Sequence, residues 1–296
     1  MSKRVHVEER HAYLIVAHKS DKLFEILCDL LDDDRNDIFI HMDVKNQSYN
    51  FRTIENKFNH SSCYHAKRMN VKWGGSSQIA ATLSLLELAT SQGAYSRYHL
   101  VSGQDLPIKS QNFIHEFFKV HKGKEFVAFS PKNTSVEDRV HYYHFLRNIC
   151  GRKYGCLQKI LLIMQKCLPF KRNREVNIHF GPNWFSITDK LARYVLKKKD
   201  WITKTFRYTS CGDEIFIQTL VANSDFEKLL YDGTLTEGAA HAAMRLVDWK
   251  RGCPYVFRSD DSDELRKSSM LFARKFDPEL DEQIIAEMAR FVRDME

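Results

Sequence analysis

The first hundred residues alternate between short apolar runs and amphipathic segments, and this alternation limits the possible folds more than any other feature. Residues Ala12–Ala17 (AYLIVA) form a continuous, partly β-branched run, which predicts a buried parallel strand. Further strands are predicted at Asp37–His41 and Tyr98–Val101, with helices at Ser20–Leu31 and Ser76–Gln92 between them. This order predicts an α/β fold with a Rossmann-like, mostly parallel sheet flanked by helices.

Polar side chains follow each of these strands, where ligands of a parallel sheet normally bind. His18 follows the first strand, and Asp43 and Lys45 follow the second. The third strand runs into Ser-Gly-Gln-Asp, whose single acid is Asp105. Enzymes that handle nucleotide sugars often place two acids at such a strand end, where they hold a metal ion against a diphosphate. With one acid, this site would need another positive charge to neutralise a diphosphate.

The second half of the chain shows a more mixed pattern. Strands are predicted at Glu125–Ser130, Trp184–Ile187 and Arg245–Trp249, and helices at Val140–Met164, Thr188–Lys197, Asp213–Leu220 and Leu280–Arg293. No internal repeat, low-complexity segment or Pro/Ser-rich linker divides the sequence. We therefore expect a single domain over residues 1–296.

The chain is basic, with a formal net charge of +7 and a pI near 8.9. A positive balance favours an anionic partner, such as a nucleotide, an anionic lipid surface or a nucleic acid. No nucleic-acid-binding motif is recognisable, so we expect no nucleic-acid partner. The seven cysteines show neither a CxxC pair nor a zinc-type spacing, which is typical of reduced thiols in a cytosolic protein.

The N-terminus lacks the apolar run and cleavage site of a signal peptide, and no apolar stretch is long enough to span a bilayer. These features predict a cytoplasmic protein, in contact at most with the inner face of the membrane. No metal site is predicted either, because the thirteen histidines show no HExxH or similar ligand spacing. Asp32–Asp34 follows a predicted helix and precedes Arg35, which favours a solvated loop.

The segment from Arg147 to Arg174 carries eight Lys or Arg residues and no acid, interleaved with the apolar run Ile160–Met164. This pattern is typical of a basic amphipathic helix that lies on an anionic membrane. A helix that packs against the core and turns a basic face to solvent would show the same pattern. The sequence leaves both interpretations open.

Six motifs occur in one order along the chain. They are IHMDVK (Ile40–Lys45), WGGSSQ (Trp73–Gln78), SGQDLPIKS (Ser102–Ser110), GPNWFSIT (Gly181–Thr188), GDE (Gly212–Glu214) and LFARKFD (Leu271–Asp277). The ordered set resembles the core-2/I-branching β-1,6-N-acetylglucosaminyltransferase family, which also contains protein O-xylosyltransferases. The resemblance implies a GT-A-type fold and an inverting transfer from a UDP-sugar without a metal. The animal members carry a membrane anchor and many disulfides, so this chain resembles a compact, soluble bacterial-type member.

The resemblance also implies roles for individual residues. Arg258 and Lys275 match a basic pair that stabilises the charge on the departing UDP. Alternatively, Arg258 forms a surface ion pair with the acids at 260–264, and Lys275 is merely solvated. Glu214 matches the general base, which takes a proton from the acceptor hydroxyl. Two acids at a helix start also stabilise that helix, so Asp213 and Glu214 have a structural interpretation as well.

Other positions match the family less specifically. The nucleotide side would be lined by His18, Asp43, Lys45, Gly74, Gly75 and Asp105, and the acceptor side by Arg139, Trp184 and Trp249. An ordinary strand-to-loop turn would also explain Asp43, and Asp105 would hold either the donor sugar or a loop. The two glycines would let the backbone approach the nucleotide or merely begin a helix. Trp249 would stack on a sugar, although a lone Trp more often lies in a core.

These observations predict an inverting, metal-independent glycosyltransferase without a cofactor. The first expectation for the donor is UDP-N-acetylglucosamine, with UDP-galactose, UDP-galactofuranose and UDP-xylose left open. The expected acceptor is a growing surface polysaccharide or its lipid-linked repeat unit. The domain would divide into a nucleotide-sugar half (about 11–125), an acceptor and catalytic half (about 126–279) and a terminal helix (280–296). The alternative is a non-catalytic sugar-nucleotide or polyanion-binding protein on the same fold.

Overall fold

The computed structural model describes residues 9–131, 134–151, 153, 155–232 and 241–295. Within these ranges, nine strands form two sheets. The strands are β1 (His11–Ala17), β2 (Asn36–Met42), β3 (Ser62–His65), β4 (Arg97–Ser102), β5 (Asp105–Pro107), β6 (Phe126–Val127), β7 (Phe185–Ile187), β8 (Arg245–Val247) and β9 (Phe272–Arg274).

The larger sheet has six strands in the order β3-β2-β1-β4-β7-β6. β1 pairs in parallel with β2 and β4, and β2 pairs in parallel with β3. Within this sheet, and among the residues that the structure describes, only β7 runs antiparallel to its neighbours, β4 and β6. The prediction of an α/β fold with a mostly parallel central sheet is therefore confirmed.

Helices cover both faces of this sheet. They are α1 (Lys22–Leu30), α2 (Phe51–Glu55), α3 (Ser76–Gln92), α4 (Gln111–Val120), α5 (Thr134–His141), α6 (Phe145–Cys150), α7 (Gly155–Lys166), α8 (Asp189–Lys197), α9 (Lys199–Phe206), α10 (Phe216–Ala222), α11 (Ser262–Lys267) and α12 (Glu282–Arg293). Tyr13 and Ile15 of β1 pack in one core with α1 and α12, whereas Ala12 and Leu14 pack in a second core with α3 and α8. A strand covered on both faces has no polar side, which explains its continuous apolar sequence.

A second sheet of three strands, in the order β5-β9-β8, lies beyond the end of β4. β5 begins at Asp105, three residues after β4 ends, and pairs antiparallel with β9. The sequence did not predict β5 or β9, because strands of three residues show no measurable alternation. This small sheet brings Arg274 and Lys275 to the carboxyl end of β4.

The predicted helix Val140–Met164 is wrong as a single element. The chain there forms the end of α5, then α6, and then α7. The breaks fall at His144, whose backbone is not helical, and at Gly151, whose φ of 62° lies in the left-handed region. Glycine adopts that conformation without a steric penalty, so it ends α6.

Candidate active site

Three strand ends lie level with one another at one edge of the main sheet. The register pairs Ala17 with Met42 and Val16 with Ser102, so the residues that follow β1, β2 and β4 lie side by side. Asp43 donates its backbone N–H to the carbonyl of Ala17 at 2.9 Å. His18, Asp43 and Asp105 therefore share one edge, as their positions after parallel strands predict.

Asp43 holds the turn after β2. Its buried carboxylate accepts hydrogen bonds from the backbone of Lys45 at 2.9 Å and of Val71 at 3.3 Å. The Lys45 ammonium lies 3.0 Å from the same carboxylate and also donates to the Val71 carbonyl at 2.9 Å. These contacts match the strand-to-loop turn that the sequence allowed for Asp43, while the Lys45 side chain stays largely exposed.

Asp105, the single acid after β4, is buried and fully engaged. One carboxylate oxygen lies 2.7 Å from Nη1 of Arg274 and accepts a hydrogen bond from Oγ of Ser102 at 2.9 Å. The other oxygen accepts the backbone N–H of Ser102 at 2.7 Å. Asp105 thus fixes the loop between β4 and β5, and an arginine neutralises its charge.

An open groove of about 670 Å³ runs along this edge of the sheet. It is lined by residues 18–22 after β1, residues 45–48 after β2, and Pro278, Glu279 and Glu282. Partial burial lowers the pKa of His18, and the positive charges of Lys19 and Lys275 lower it further. These influences favour the neutral imidazole of His18 in a groove that also carries Lys45.

Arg258 and Lys275 lie on neighbouring segments, because the backbone N–H of Phe257 donates to the carbonyl of Lys275 at 2.9 Å. Neither side chain forms an ion pair within the described part of the chain. Three of the four acids at 260–264 are occupied elsewhere, in the pairs Arg251–Asp261, Arg251–Glu264 and Lys267–Asp263. Arg258 and Lys275 therefore lie near the groove, and neither has a carboxylate partner among the described residues.

Glu214 ends a 3₁₀ turn at Gly212–Glu214, and its side chain is about 39% exposed. Its Oε2 lies 2.7 Å from Nη1 of Arg139, which belongs to α5. The carbonyl of Glu214 accepts the backbone N–H of Gly181 at 2.9 Å. A carboxylate in this setting has a fixed position and an open face, as a proton acceptor needs.

Asp213 lies behind Glu214 and is buried. Its Oδ2 accepts hydrogen bonds from the side-chain amides of Gln78 at 2.9 Å and Asn183 at 3.4 Å. Burial raises the pKa of Asp213 to about 7, and the adjacent charge of Glu214 raises it as well. α10 begins later than predicted, at Phe216, without a side-chain cap, so these acids precede the helix and do not cap it.

The two glycines before α3 are required by close packing. Gly74 has a φ of 73°, and its carbonyl accepts the backbone N–H of Cys211 at 2.9 Å. A Cβ on Gly75 would lie only 2.9 Å from the carbonyl oxygen of Arg147. The WGGSSQ motif thus packs directly on the segment that carries Glu214. Gln78 links the two, because its side-chain amide accepts the N–H of Gly74 and donates to Oδ2 of Asp213.

A chain of contacts connects the cationic side of this region with Glu214. The Arg274 guanidinium lies over the ring of Trp184 at 4.6 Å. Trp184 follows Asn183, which binds Asp213, and Asp213 precedes Glu214. Trp249 follows β8 and is 59% exposed, so its predicted alternative as a core residue is wrong.

These motifs can now be compared with known proteins. A sequence model of the Core-2/I-Branching enzyme family matches residues 11–269. The chain belongs to the core-2/I-branching family. This finding confirms the family resemblance, and it identifies the chain as a member of a glycosyltransferase family. Five of the six ordered motifs lie within the matched residues, and Leu271–Asp277 follows them.

Two curated relatives of this core-2/I-branching protein are "Xylosyltransferase oxt" of Drosophila pseudoobscura pseudoobscura and a human N-acetyllactosaminide beta-1,6-N-acetylglucosaminyl-transferase. The fly protein is 24% identical over 274 residues, which cover 86% of this chain and 30% of that protein. The human protein is 25% identical over 291 residues, which cover 90% of this chain and 68% of that protein. The chain thus spans less than a third of the fly relative.

Among solved structures, mouse xyloside xylosyltransferase 1 in its apo form aligns with a TM-score of 0.34 and 8% identity. The alignment covers 89% of this chain and 96% of the mouse chain.

Sequence reasoning on this core-2/I-branching chain missed two residues that organise the site, Arg274 and Gln78. Both lie inside the six motifs, Arg274 directly before Lys275 and Gln78 shortly after the two glycines. These positions could have identified them. Within the described ranges, no group of three or more His, Cys, Asp or Glu side chains is arranged to hold a metal ion. Across the same ranges, no helix combines the length and the apolar character needed to cross a membrane.

Proposed function

We propose that this chain is an inverting glycosyltransferase that transfers a sugar from a UDP-sugar to a hydroxyl group of a glycan. The observation that carries the proposal is the presence of two charged groups on segments that contacts through Arg274, Trp184 and Asn183 connect. Arg258 and Lys275 supply two cations without carboxylate partners among the described residues, and Glu214 supplies a partly exposed carboxylate held by Arg139. These are the two charges that such a displacement needs at its leaving group and its nucleophile.

The leaving group would be stabilised by the basic pair. As the bond between the sugar and UDP breaks, negative charge develops on the β-phosphate. A guanidinium and an ammonium that are already in place stabilise this charge without solvent reorganisation. The groove beside His18 and Lys45 would hold the nucleotide, because it opens along the carboxyl ends of β1 and β2.

The acceptor would be activated by Glu214. Inversion in one displacement requires a base on the face of the sugar opposite to the leaving group. Glu214 would accept the proton of the attacking hydroxyl as the oxygen bonds to the anomeric carbon and UDP departs. Arg139 would keep the carboxylate in place, and exposed Trp249 would stack on an apolar sugar face.

We infer that the reaction needs no metal ion and no other cofactor. Asp105, the strand-end acid that would bind a metal in a nucleotide-sugar enzyme, already bonds Arg274 and Ser102. The positive charge for the diphosphate would come from Arg258 and Lys275. This assignment is supported by the chain's own ion pairs.

For the donor we propose UDP-N-acetylglucosamine first, with UDP-xylose next, because the two curated relatives are named for the transfer of these sugars. UDP-galactose and UDP-galactofuranose complete the set to be tested. The acceptor would be a surface polysaccharide or its lipid-linked repeat unit. The second candidate function is a sugar-nucleotide-binding protein without turnover, which would not require a base at Glu214.

A donor screen tests the proposal. Purified protein is incubated with each UDP-sugar, with and without oligosaccharide acceptors, and free UDP is measured. We expect UDP release from one donor, with the UDP affinity unchanged by Glu214→Gln. Tight UDP binding without release from any donor, in the presence of a range of acceptors, would favour the binding protein instead.

A further inference from the structure

Helix α7 forms hydrogen bonds to the rest of the protein through glutamine side chains and turns four large apolar residues outward, while Leu161 and Leu162 are half-buried. The amide of Gln158, which is buried, lies 3.3 Å from Nδ1 of His144. Gln165 accepts the backbone N–H of Tyr143 at 2.8 Å and donates to the carbonyl of the same residue at 3.0 Å. An ordinary surface helix shows the opposite arrangement, with an apolar stripe toward the core.

The outward side forms a continuous apolar surface, here termed the α7 surface. Its members are Leu157, Ile160, Ile163 and Met164 on the helix and Leu168 and Phe170 after it, each between 46% and 63% exposed. Single exposed apolar residues are normal on a protein surface, whereas a contiguous group marks an interaction site. Ile160 and Ile163 lie three residues apart and therefore share one helix face.

The charged residues of the segment that carries this surface have one sign. No Asp or Glu occurs from 147 to 174. Four of the basic residues in this segment, Lys153, Lys159, Lys171 and Arg174, are exposed and pair with no carboxylate among the described residues. Arg152 and Tyr154 lie outside the described residues. The remaining basic residues are used internally, as in the ion pair of Lys166 with Asp138.

We propose that the α7 surface docks the protein on an anionic lipid bilayer. The apolar residues would lie at the boundary between headgroups and acyl chains, and the four free cations would bind lipid phosphates. A second copy of the chain is disfavoured, because a symmetric contact would bring two sets of positive charges together. A soluble polyanion would use the cations but leave the apolar residues in water.

The position of α7 gives this docking a functional consequence, which rests on the proposed function. Lys166 of α7 pairs with Asp138 of α5, and the next residue, Arg139, pairs with Glu214. A bilayer bound to α7 would therefore lie close to the proposed acceptor site. That arrangement suits an acceptor glycan carried on a lipid.

The binding step is tested by sedimentation with vesicles of phosphatidylcholine, with or without phosphatidylglycerol, over a series of salt concentrations. We expect the wild type to sediment only with the anionic vesicles, with an affinity that salt weakens but does not abolish. No donor or acceptor is present, so this result is independent of the proposed enzymatic activity.

Two variants separate the electrostatic from the apolar contribution. Lys159→Glu with Lys171→Glu should lower vesicle affinity at least about tenfold and remove most of its salt dependence. Ile160→Gln with Ile163→Gln should remove the binding that persists at high salt, and glutamine keeps the helix propensity. Lys166 is left unchanged because its ion pair with Asp138 belongs to the folded structure.

Matched controls use residues outside the α7 surface. Lys190→Glu with Lys197→Glu on α8 makes the same change in net charge at exposed positions and should preserve binding. Val120→Gln with Leu280→Gln removes two other exposed apolar side chains and should also preserve it. Leu168→Gln with Phe170→Gln, outside the helix, repeats the apolar test should the α7 variant fail to fold.

Four results would overturn the proposal. The wild type fails to sediment with anionic vesicles at low salt, or the α8 charge control loses as much affinity as the α7 charge variant. Alternatively, the apolar variants bind as well as the wild type, which indicates a polyanion site. Lastly, the protein self-associates without lipid through Ile160 and Ile163 and does not bind vesicles.

Discussion

Two carboxylate–arginine pairs in this protein have the same length but differ in burial. The buried pair supports the fold, whereas the exposed pair leaves a carboxylate open to a substrate. Asp105 and Arg274 are 2.7 Å apart with side chains only 2% and 18% exposed. Glu214 and Arg139 are also 2.7 Å apart, but their side chains are 39% and 31% exposed. The buried pair has every oxygen engaged and fixes a loop, whereas the exposed pair leaves a carboxylate that a substrate can reach.

Asp213 adds a third case to this comparison. It is buried like Asp105 but has only amide donors and no arginine on its carboxylate. Burial without a cation raises its pKa to about 7. The contrast teaches that the partner decides the charge of a buried acid, and that exposure decides whether an acid can act on a substrate.

Glu214→Gln should give the largest effect, because it keeps the shape of the side chain and removes the proton acceptor. We expect turnover to fall by about 10²–10⁴ while the melting temperature and UDP affinity stay unchanged. UDP release measures turnover, and calorimetry measures the melting temperature and the UDP affinity. Glu87→Gln is the control, because Glu87 forms a comparably exposed ion pair with Lys199 at 2.6 Å. Normal turnover in Glu214→Gln would remove this residue from the mechanism.

The pH dependence of stability tests the assignment of Asp213. Its pKa is raised in the folded state from 3.8 to about 7, so between these values the folded protein binds a proton that the unfolded chain lacks. Stability should therefore fall as pH rises through this window, by at most about 4 kcal/mol. Urea unfolding of the wild type and Asp213→Asn at several pH values measures it. Equal slopes in both proteins would contradict the assignment.

Asp105→Asn tests the buried pair. The substitution leaves the Arg274 charge mostly buried without its carboxylate, which should cost about 3 kcal/mol of unfolding free energy. Asp263→Asn breaks an exposed pair with Lys267 and should leave the unfolding transition unchanged. If Asp105→Asn unfolds like the wild type but loses UDP binding, Asp105 is a donor-binding residue and its loop role is secondary.

Arg139→Met should have a smaller effect on stability than Asp105→Asn. Because the Arg139–Glu214 pair is partly exposed, its loss should change the unfolding free energy by no more than about 1 kcal/mol. Turnover should fall less than in Glu214→Gln, since the base remains but is held less firmly. Urea unfolding and UDP release on the same preparation check both statements. If Arg139→Met lowered the unfolding free energy more than Asp105→Asn does, the exposed pair would be the one that stabilises the fold.

The sequence predicted the regular part of the fold well because its signals are local. Ser76–Gln92 was predicted with the same bounds that α3 has, since two glycines precede it and an apolar stripe runs through it. The continuous apolar run of β1 predicts its end at Ala17, and β2 ends at Met42, one residue after the predicted end. These features depend on neighbours within a few residues.

The contacts that define the site are not local, and they could not be predicted. Asp105 and Arg274 are 169 positions apart, and Gln78 and Asp213 are 135 apart. Nothing in the letters near Asp105 shows that an arginine from β9 would neutralise it. In the same way, the helical pattern of residues 140–164 does not predict the breaks at His144 and Gly151.

The most direct test of the account is the rate of UDP release by the wild type in excess EDTA. In the proposed mechanism, Arg258 and Lys275 stabilise the departing diphosphate in place of a metal ion, with Asp105 committed to Arg274. We expect full activity in the chelator and a loss of about 10²–10³ in rate for Lys275→Ala. A strict requirement for manganese or magnesium would contradict it.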